Sequence, residues 1–267
     1  RQLKKEGFEL AILLQNAFEA ALISFLAGIP RRAGYNTDGR GFMLTHPVGL
    51  RKEIKKQHQV DYYLEMVGSL GFQRANRIPS LPVSAERREE AGRMLQSFGL
   101  QESQRLVGIS PGATYGSAKQ WYPERYAELA DRMARNFGAR ILMFGSERDK
   151  KVALQVRQNL RVPLIDLTGG TTLGQAMALI AHCALFITND SGLMHVAAAL
   201  GVPVIAIFGS TNPERTGPVG EVCRVVRKPV PCAPCLKTEC PEDRRCMGLI
   251  SVDEVYDEVK TILSQKS

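Results

Sequence analysis

From Leu106 onward the sequence alternates short aliphatic runs with helical segments, and this alternation constrains the fold more than any other feature. Leu106 to Ser110, Arg140 to Phe144, Pro163 to Leu167, Leu185 to Thr188 and Val204 to Phe208 read as strands. Helices are predicted over 123–136, 147–160, 173–181 and 192–200 between and after them. Strand–helix alternation with short links implies an α/β protein whose parallel sheet is covered on both faces. Ligands in such sheets sit at the carboxyl ends of the strands, where loops meet helix N-termini. The informative loops are therefore those after Ser110, Phe144, Thr188 and Phe208.

The first hundred residues are less regular. Leu10 to Leu14 reads as a buried strand and Ala17 to Ala27 as a helix, with Asn16 as its cap and Glu19 as a capping-box acid. Gly28-Ile29-Pro30 ends that helix. Gln15, Asn16, Glu19 and Ser24 interrupt the stretch, which therefore falls short of the ~18 apolar residues that mark a membrane span. A polar loop follows Tyr35, then a helix over 61–70, an extended Pro-rich passage over 78–83 and a charged helix over 84–98. The expected domains are 1–100, including the passage, 101–250, and a C-terminal helix over 251–267 that packs back toward the N-terminal domain. Arg1 to Lys5 resembles the tail of a helix already in progress, and no initiator Met precedes it, so an N-terminally truncated sequence is expected.

Composition narrows the class of partner. Of 267 residues, 44% are apolar and 23% charged, as in ordinary globular proteins. A net charge of +8 favours anionic ligands or surfaces. Basic residues are dispersed and aromatics make up only 7%, which argues against a nucleic-acid binder. Six cysteines are too few for a disulfide framework, and nothing reads as a signal peptide, so a soluble cytoplasmic chain is expected.

Four loops carry candidate chemistry. Ser110 to Trp121 holds Gly112 and Gly116, the hydroxyls of Thr114 and Ser117, and Lys119, a set suited to phosphate. Its spacing is not that of a Walker loop, and a Gly-rich connection with an exposed lysine is the blander alternative. Glu147 in the second loop suits ribose or sugar hydroxyls, or simply complements a helix dipole. Thr188-Asn189-Asp190-Ser191-Gly192-Leu193-Met194-His195 is the most informative segment. A helix begins within it, and its N-terminus offers unpaired N–H groups to an anion. Asp190 or Ser191 would otherwise be an ordinary cap, and His195 a satisfied core residue. Gly209 to Pro213 either closes over the same ligand or turns the chain.

Cys232, Cys235, Cys240 and Cys246 form a C-x2-C-x4-C-x5-C cluster, spacing that can hold zinc or an iron–sulfur centre. The uneven, Pro-rich context makes reduced thiols in a surface loop the default, with no metal expected.

Taken together, Pro111-Gly112-Ala113 through Lys119-Gln120-Trp121, Gly145-Ser146-Glu147 and Thr188 through Gly201 resemble glycosyltransferase family 9 over essentially the whole chain. The resemblance implies a GT-B architecture: two Rossmann-like domains facing a cleft, the N-terminal one incomplete here. It implies inverting transfer of L-glycero-D-manno-heptose from an ADP-heptose donor to the heptosylated lipid A–inner core of lipopolysaccharide, without metal or cofactor. Carried over, Lys119 and Thr114 contact the diphosphate, and Ser191 and Gly192 line the same site. Asp190 and His195 lie near heptose and phosphates, and Glu147 faces the ribose. Tyr115 stands where some relatives have threonine. The N-terminal domain receives the acceptor, with Arg31 and Arg32 as candidate contacts, and a monomer at the cytoplasmic face of the inner membrane is expected. The family's presumed base lies on a strand and Gly-Asp turn that this sequence lacks. The general base is thus expected outside these residues, and the chain alone should turn over poorly. The alternatives are a non-catalytic nucleotide-sugar binding module and a family member with another acceptor.

Overall fold

A computed structural model describes residues 2–101 and 103–264. It divides into two compact units, residues 1–77 and 78–267. The first contains α1 (Gln2–Lys5), β1 (Leu10–Leu13), α2 (Phe18–Leu26), β2 (Arg31–Tyr35), β3 (His46–Val48) and α3 (Gln59–Ser69). The strands form a parallel sheet in the order β1-β2-β3, with Leu10 opposite Arg31 and Ala33 opposite His46. β3 lies in the stretch read as polar loop, because three residues containing His46 and Pro47 give no apolar run. Tyr35, Val48, Ile54, Tyr62 and Met66 form the larger core of this unit.

Arg40 corrects the expected capping of α2. Its fully buried guanidinium donates to the carbonyls of Tyr35 (3.0 Å), Gln15 and Ala17 (3.4 Å) and to Asn16 Oδ1 (3.3 Å). Burial lowers its pKa from the ordinary arginine value. Asn16 Nδ2 donates to the Tyr62 hydroxyl at 2.6 Å. With both ends of the Asn16 amide engaged, the N-cap passes to Ala17, and no side chain caps α2. A buried cation needs acceptors more than a helix end needs a cap.

The second unit contains α4 (Ala85–Ser97), β4 (Leu106–Ser110), α5 (Pro123–Phe137), β5 (Arg140–Met143), α6 (Lys150–Asn159), β6 (Leu164–Asp166) and α7 (Leu173–Ile180). β7 (Leu185–Asn189), α8 (Gly192–Ala199), β8 (Val204–Phe208), α9 (Pro213–Thr216), β9 (Cys223–Arg227), α10 (Arg245–Gly248) and α11 (Val252–Leu263) follow. All six strands run parallel in the order β6-β5-β4-β7-β8-β9. Val107, Ile109, Ile141, Leu185 and Ile205 face a core shared with α5 and α11. Leu106, Leu142, Phe186, Val204 and Phe208 face the opposite core, shared with α4, α7 and α8. Burial of both faces is what makes these strands aliphatic throughout. β9 escaped the sequence reading because Arg224 and Val225 are exposed on this edge strand.

The observed division moves the expected domain boundary from residue 100 to residue 77. The Leu81 N–H donates to the Ala199 carbonyl at 2.8 Å, and Val83 packs on the core of the second unit. Gln175 Nε2 donates to Glu90 Oε1 at 2.9 Å, tying α7 to α4. The passage and the charged helix therefore belong to the second unit. α11 belongs there too: Val252, Val255, Val259, Ile262 and Leu263 join its core. Residues 265–267 of the expected C-terminal helix, and Arg1, lie outside the described residues.

Strand order reverses between β4 and β7, and there β4 leaves no room for a side chain at Gly108. A β-carbon at Gly108 would overlap the Phe186 ring and lie 3.3 Å from Cys183 Sγ. Burial raises the Cys183 thiol to about 12. Gly108→Ala is expected to destabilise the second unit by ~1–3 kcal/mol through overpacking, read as a lower denaturation midpoint at unchanged slope.

Candidate functional site

The site is assembled by two consecutive residues at the end of β7. Asn189 is fully buried. Its Oδ1 accepts from the Trp121 backbone N–H (3.0 Å) and the Tyr126 hydroxyl (3.1 Å). Its Nδ2 donates to the carbonyls of Pro111 (2.7 Å) and Gly112 (3.2 Å). Both ends of the loop from Pro111 to Trp121 are thus held by one amide. Trp121 is a packing anchor: its Nε1 donates to the Ile250 carbonyl at 3.1 Å, and its ring stands edge-on to Tyr126.

Asp190 holds the other loops. Its Oδ2 accepts from Lys119 Nζ at 2.6 Å and from the Thr211 hydroxyl at 2.7 Å. The Lys119 and Asp190 side chains are only 13% and 6% exposed, so the pair is largely desolvated. Lys119 ends a single 3-10 turn, Ser117–Lys119, and its ammonium lies 4.5 Å from the centroid of the Tyr115 ring. The loop after β8 therefore joins the same network through Thr211.

Beside this network, at the strand-order reversal, lies a cavity of about 400 Å³. Phe144, Leu173, Ala176, Leu193 and Val196 give it an apolar wall. Thr114 of the first loop and Ser191 and Gly192 at the start of α8 line it as well. Ser191 is the N-cap, and its side chain accepts no capping hydrogen bond, lying instead 3.1 Å from the Thr188 hydroxyl. The α8 N-terminus, uncapped by any side chain, suits an anion, while the apolar wall suits a flat ring.

Lys119 and Asp190 do not themselves line this cavity, and the remaining expected residues also stand apart from its lining. Glu147 is exposed, and Lys150 Nζ bonds its Oε1 at 2.7 Å. The acid that does reach the cavity is Asp149, which accepts from the Ser146 N–H (2.8 Å) and hydroxyl (2.7 Å). A β-carbon at Gly112 would overlap the Asp149 carboxylate, which explains the glycine there. His195 is exposed on α8, so it is not a core histidine. In the first unit, Arg31 pairs with Glu9 at 3.0 Å. Arg32 donates to the carbonyls of Met43 (2.6 Å) and Ile29 and lies over the Phe25 ring at 5.3 Å. Both begin β2, the end of a parallel strand opposite to that where ligands ordinarily sit. Thr171 and Thr172, which follow β6 and also line the cavity, were missed by the sequence reading. The rule that directed attention to the other loops applied equally to this one.

Cys232 is exposed, Cys235 and Cys240 are half-buried, and Cys246 is buried. Burial raises the Cys246 thiol, and the other three cysteines push it the same way. Among the described residues, no group of three or more His, Cys, Asp or Glu is arranged to hold a metal ion.

A family model described as glycosyltransferase family 9 (heptosyltransferase) matches residues 1–245. The chain belongs to this family. It is 36% identical over 236 residues to lipopolysaccharide heptosyltransferase 2 of Salmonella typhimurium, covering 84% of this chain and 66% of that protein. The match thus spans just under two thirds of the relative's length. The solved E. coli ADP-heptose lipopolysaccharide heptosyltransferase II superposes with a TM-score of 0.81 at 29% identity, covering 99% of this chain and 79% of that one. A glycosyltransferase family 9 structure from Veillonella parvula gives 0.85 at 25% identity, covering 99% and 77%. These likenesses agree with a GT-B class of fold carrying two parallel sheets.

In this family 9 chain, Asn189→Ala should do more than remove hydrogen bonds. It would leave the Trp121 N–H and the Pro111 carbonyl buried without their partner. The expected cost is ~1–3 kcal/mol for each buried group left unsatisfied, measured by urea denaturation. Protease cleavage within the loop 111–121 should rise in parallel.

Proposed function

We propose that the chain binds ADP-L-glycero-D-manno-heptose in the cavity of its second unit and serves inverting transfer of the heptose to the heptosylated inner core of lipopolysaccharide. The observation that carries this reading is the meeting of Lys119 with Asp190, directly before the start of α8, beside a cavity with an apolar wall. An inverting displacement needs positive charge where the diphosphate departs and a base for the acceptor hydroxyl. Lys119 and the N–H groups of α8 supply the first. The adenine rests against Phe144, Leu173 and Val196, and the diphosphate lies toward Gly192 and Thr114. The names of the relatives, heptosyltransferase 2 and ADP-heptose heptosyltransferase II, support the sugar and the nucleotide.

The acceptor is assigned to the first unit. A cavity of about 690 Å³ there is lined by Tyr35 and Val48, the last residues of β2 and β3, together with Arg51 and His46. Its place at the carboxyl ends of the strands favours it over Arg31 and Arg32 as the contact region. A phosphorylated lipid acceptor also suits the net charge of +8, and the work would be done at the cytoplasmic face of the inner membrane. Among the described residues, no helix is long and apolar enough to cross a membrane.

Lys119→Ala should weaken ADP binding roughly ten- to a hundredfold, the equivalent of a charge-assisted contact of ~1.5–3 kcal/mol. Adenosine binding should be unchanged. Calorimetry with both ligands checks this, and equal ADP affinity in the two proteins would overturn the assignment. Transfer of radiolabelled heptose from the ADP-sugar to a once-heptosylated acceptor tests the reaction itself. Donor binding without any transfer, even in the longest form of the protein, would instead establish a binding module.

A further inference from the structure

The loop that carries Lys119 does not stand alone: the cysteine-rich segment lies against its outer side. The Tyr115 hydroxyl donates to the Leu236 carbonyl at 2.7 Å, and the Ala118 N–H donates to the Thr238 carbonyl at 3.0 Å. At Gly116, φ is +151°, and a β-carbon there would overlap the Thr238 carbonyl, so chain meets chain with no space between. On its other side the segment is fixed to the end of β8, where the Leu236 N–H donates to the Ser210 carbonyl at 2.8 Å. Leu236 itself sits at φ +57°, a left-handed conformation that a residue with a β-carbon keeps only where its surroundings hold it.

Lys119 is therefore gripped from two directions. Asp190 takes its ammonium end-on at 2.6 Å, and the face of Tyr115 lies 4.5 Å away. Asp190 alone fixes one distance and leaves the long, flexible side chain free to swing about that contact. The aromatic face removes that freedom while stabilising the same charge. The ring is itself held by the bond to Leu236.

We propose that Tyr115 is a positioning residue for the phosphate-binding lysine, and that the cysteine-rich segment acts on the donor site through it. This rests on the reading of the cavity as the diphosphate site. The role explains why a large aromatic residue, 48% exposed, stands among the small residues Gly112 to Thr114 and Gly116 to Ala118. It also gives the segment between Cys232 and Cys246 a task that needs no metal ligand: its main-chain carbonyls are the working groups.

The test compares ADP and adenosine binding to the whole chain carrying Tyr115→Leu, Tyr115→Phe, Gly116→Ala or Lys119→Ala. Tyr115→Leu removes both the aromatic face and the tether, and should raise the Kd for ADP roughly three- to tenfold, the range of a cation–π contact. Tyr115→Phe keeps the face and loses the tether, and should lie between Tyr115→Leu and the wild type. Gly116→Ala keeps the Tyr115 side chain but pushes the turn, and Tyr115 with it, off the segment, and should also weaken ADP binding. Adenosine affinity should not change in any of them, whereas general damage to the cavity would weaken both ligands. Wild-type ADP affinity in Tyr115→Leu, with a loss in Lys119→Ala, would overturn the positioning role and leave the donor site standing. Wild-type ADP affinity in Lys119→Ala would overturn the donor-site reading itself.

Discussion

The site depends on the side chain of Asn189. A primary amide can accept and donate in the same plane, with two donors and one acceptor oxygen. Buried at the end of β7, it uses both capacities on the main chain and packing anchors of the loop after β4. No apolar residue can replace it, because the groups it satisfies would remain buried without partners. An ionised aspartate has acceptors only and could not serve the two carbonyls. The adjacent residue then places a carboxylate where Lys119 and Thr211 converge. Two neighbours in sequence thereby bring together loops that follow three different strands, and the sheet supplies the rigid base from which they do so.

The second unit was largely legible because its physics is local. Aliphatic runs become strands when both faces are covered, and the helices between them carry their own signals, such as Ser84, which caps α4 by accepting from the Arg87 N–H. What could not be read was any choice made by long-range contact. Asn16 has the side chain of a cap, but a guanidinium from 24 residues away claims it. Glu147 and Asp149 lie two apart in one acidic turn, and only the packing of Asp149 beneath Gly112 decides which faces the cavity. The domain boundary failed for the same reason, since the contacts of Leu81 and Glu90 with distant helices assign that stretch to the second unit.

Arg31 and Arg32, expected as acceptor contacts, are engaged by neighbours within the first unit. Paired arginines suggest an anion, yet their position on β2 turns them toward carbonyls, an aromatic ring and a glutamate nearby. Position along a parallel strand is the better guide, because N-terminal and C-terminal ends differ in what the following loops and helices can present. The same rule drew attention to three of the cavity's loops and, applied to β6 as well, would have included Thr171 and Thr172.

The pairing of Lys119 with Asp190 also bears on why such a site can act without rearranging. A largely desolvated ammonium is costly unless something nearby carries the opposite charge. Asp190 provides this, so the lysine is held largely out of water and its ammonium is fixed in place by the fold itself. The carboxylate occupies only part of the ammonium's donor capacity, since Lys has three N–H groups and one is directed at Oδ2. On the proposed reading, an arriving phosphate would be met by the remaining donors and by the N-terminus of α8 without first breaking the ion pair. On that reading, charge developing on the leaving group would fall on dipoles and a cation whose orientation was fixed during folding, the condition under which electrostatic stabilisation is largest.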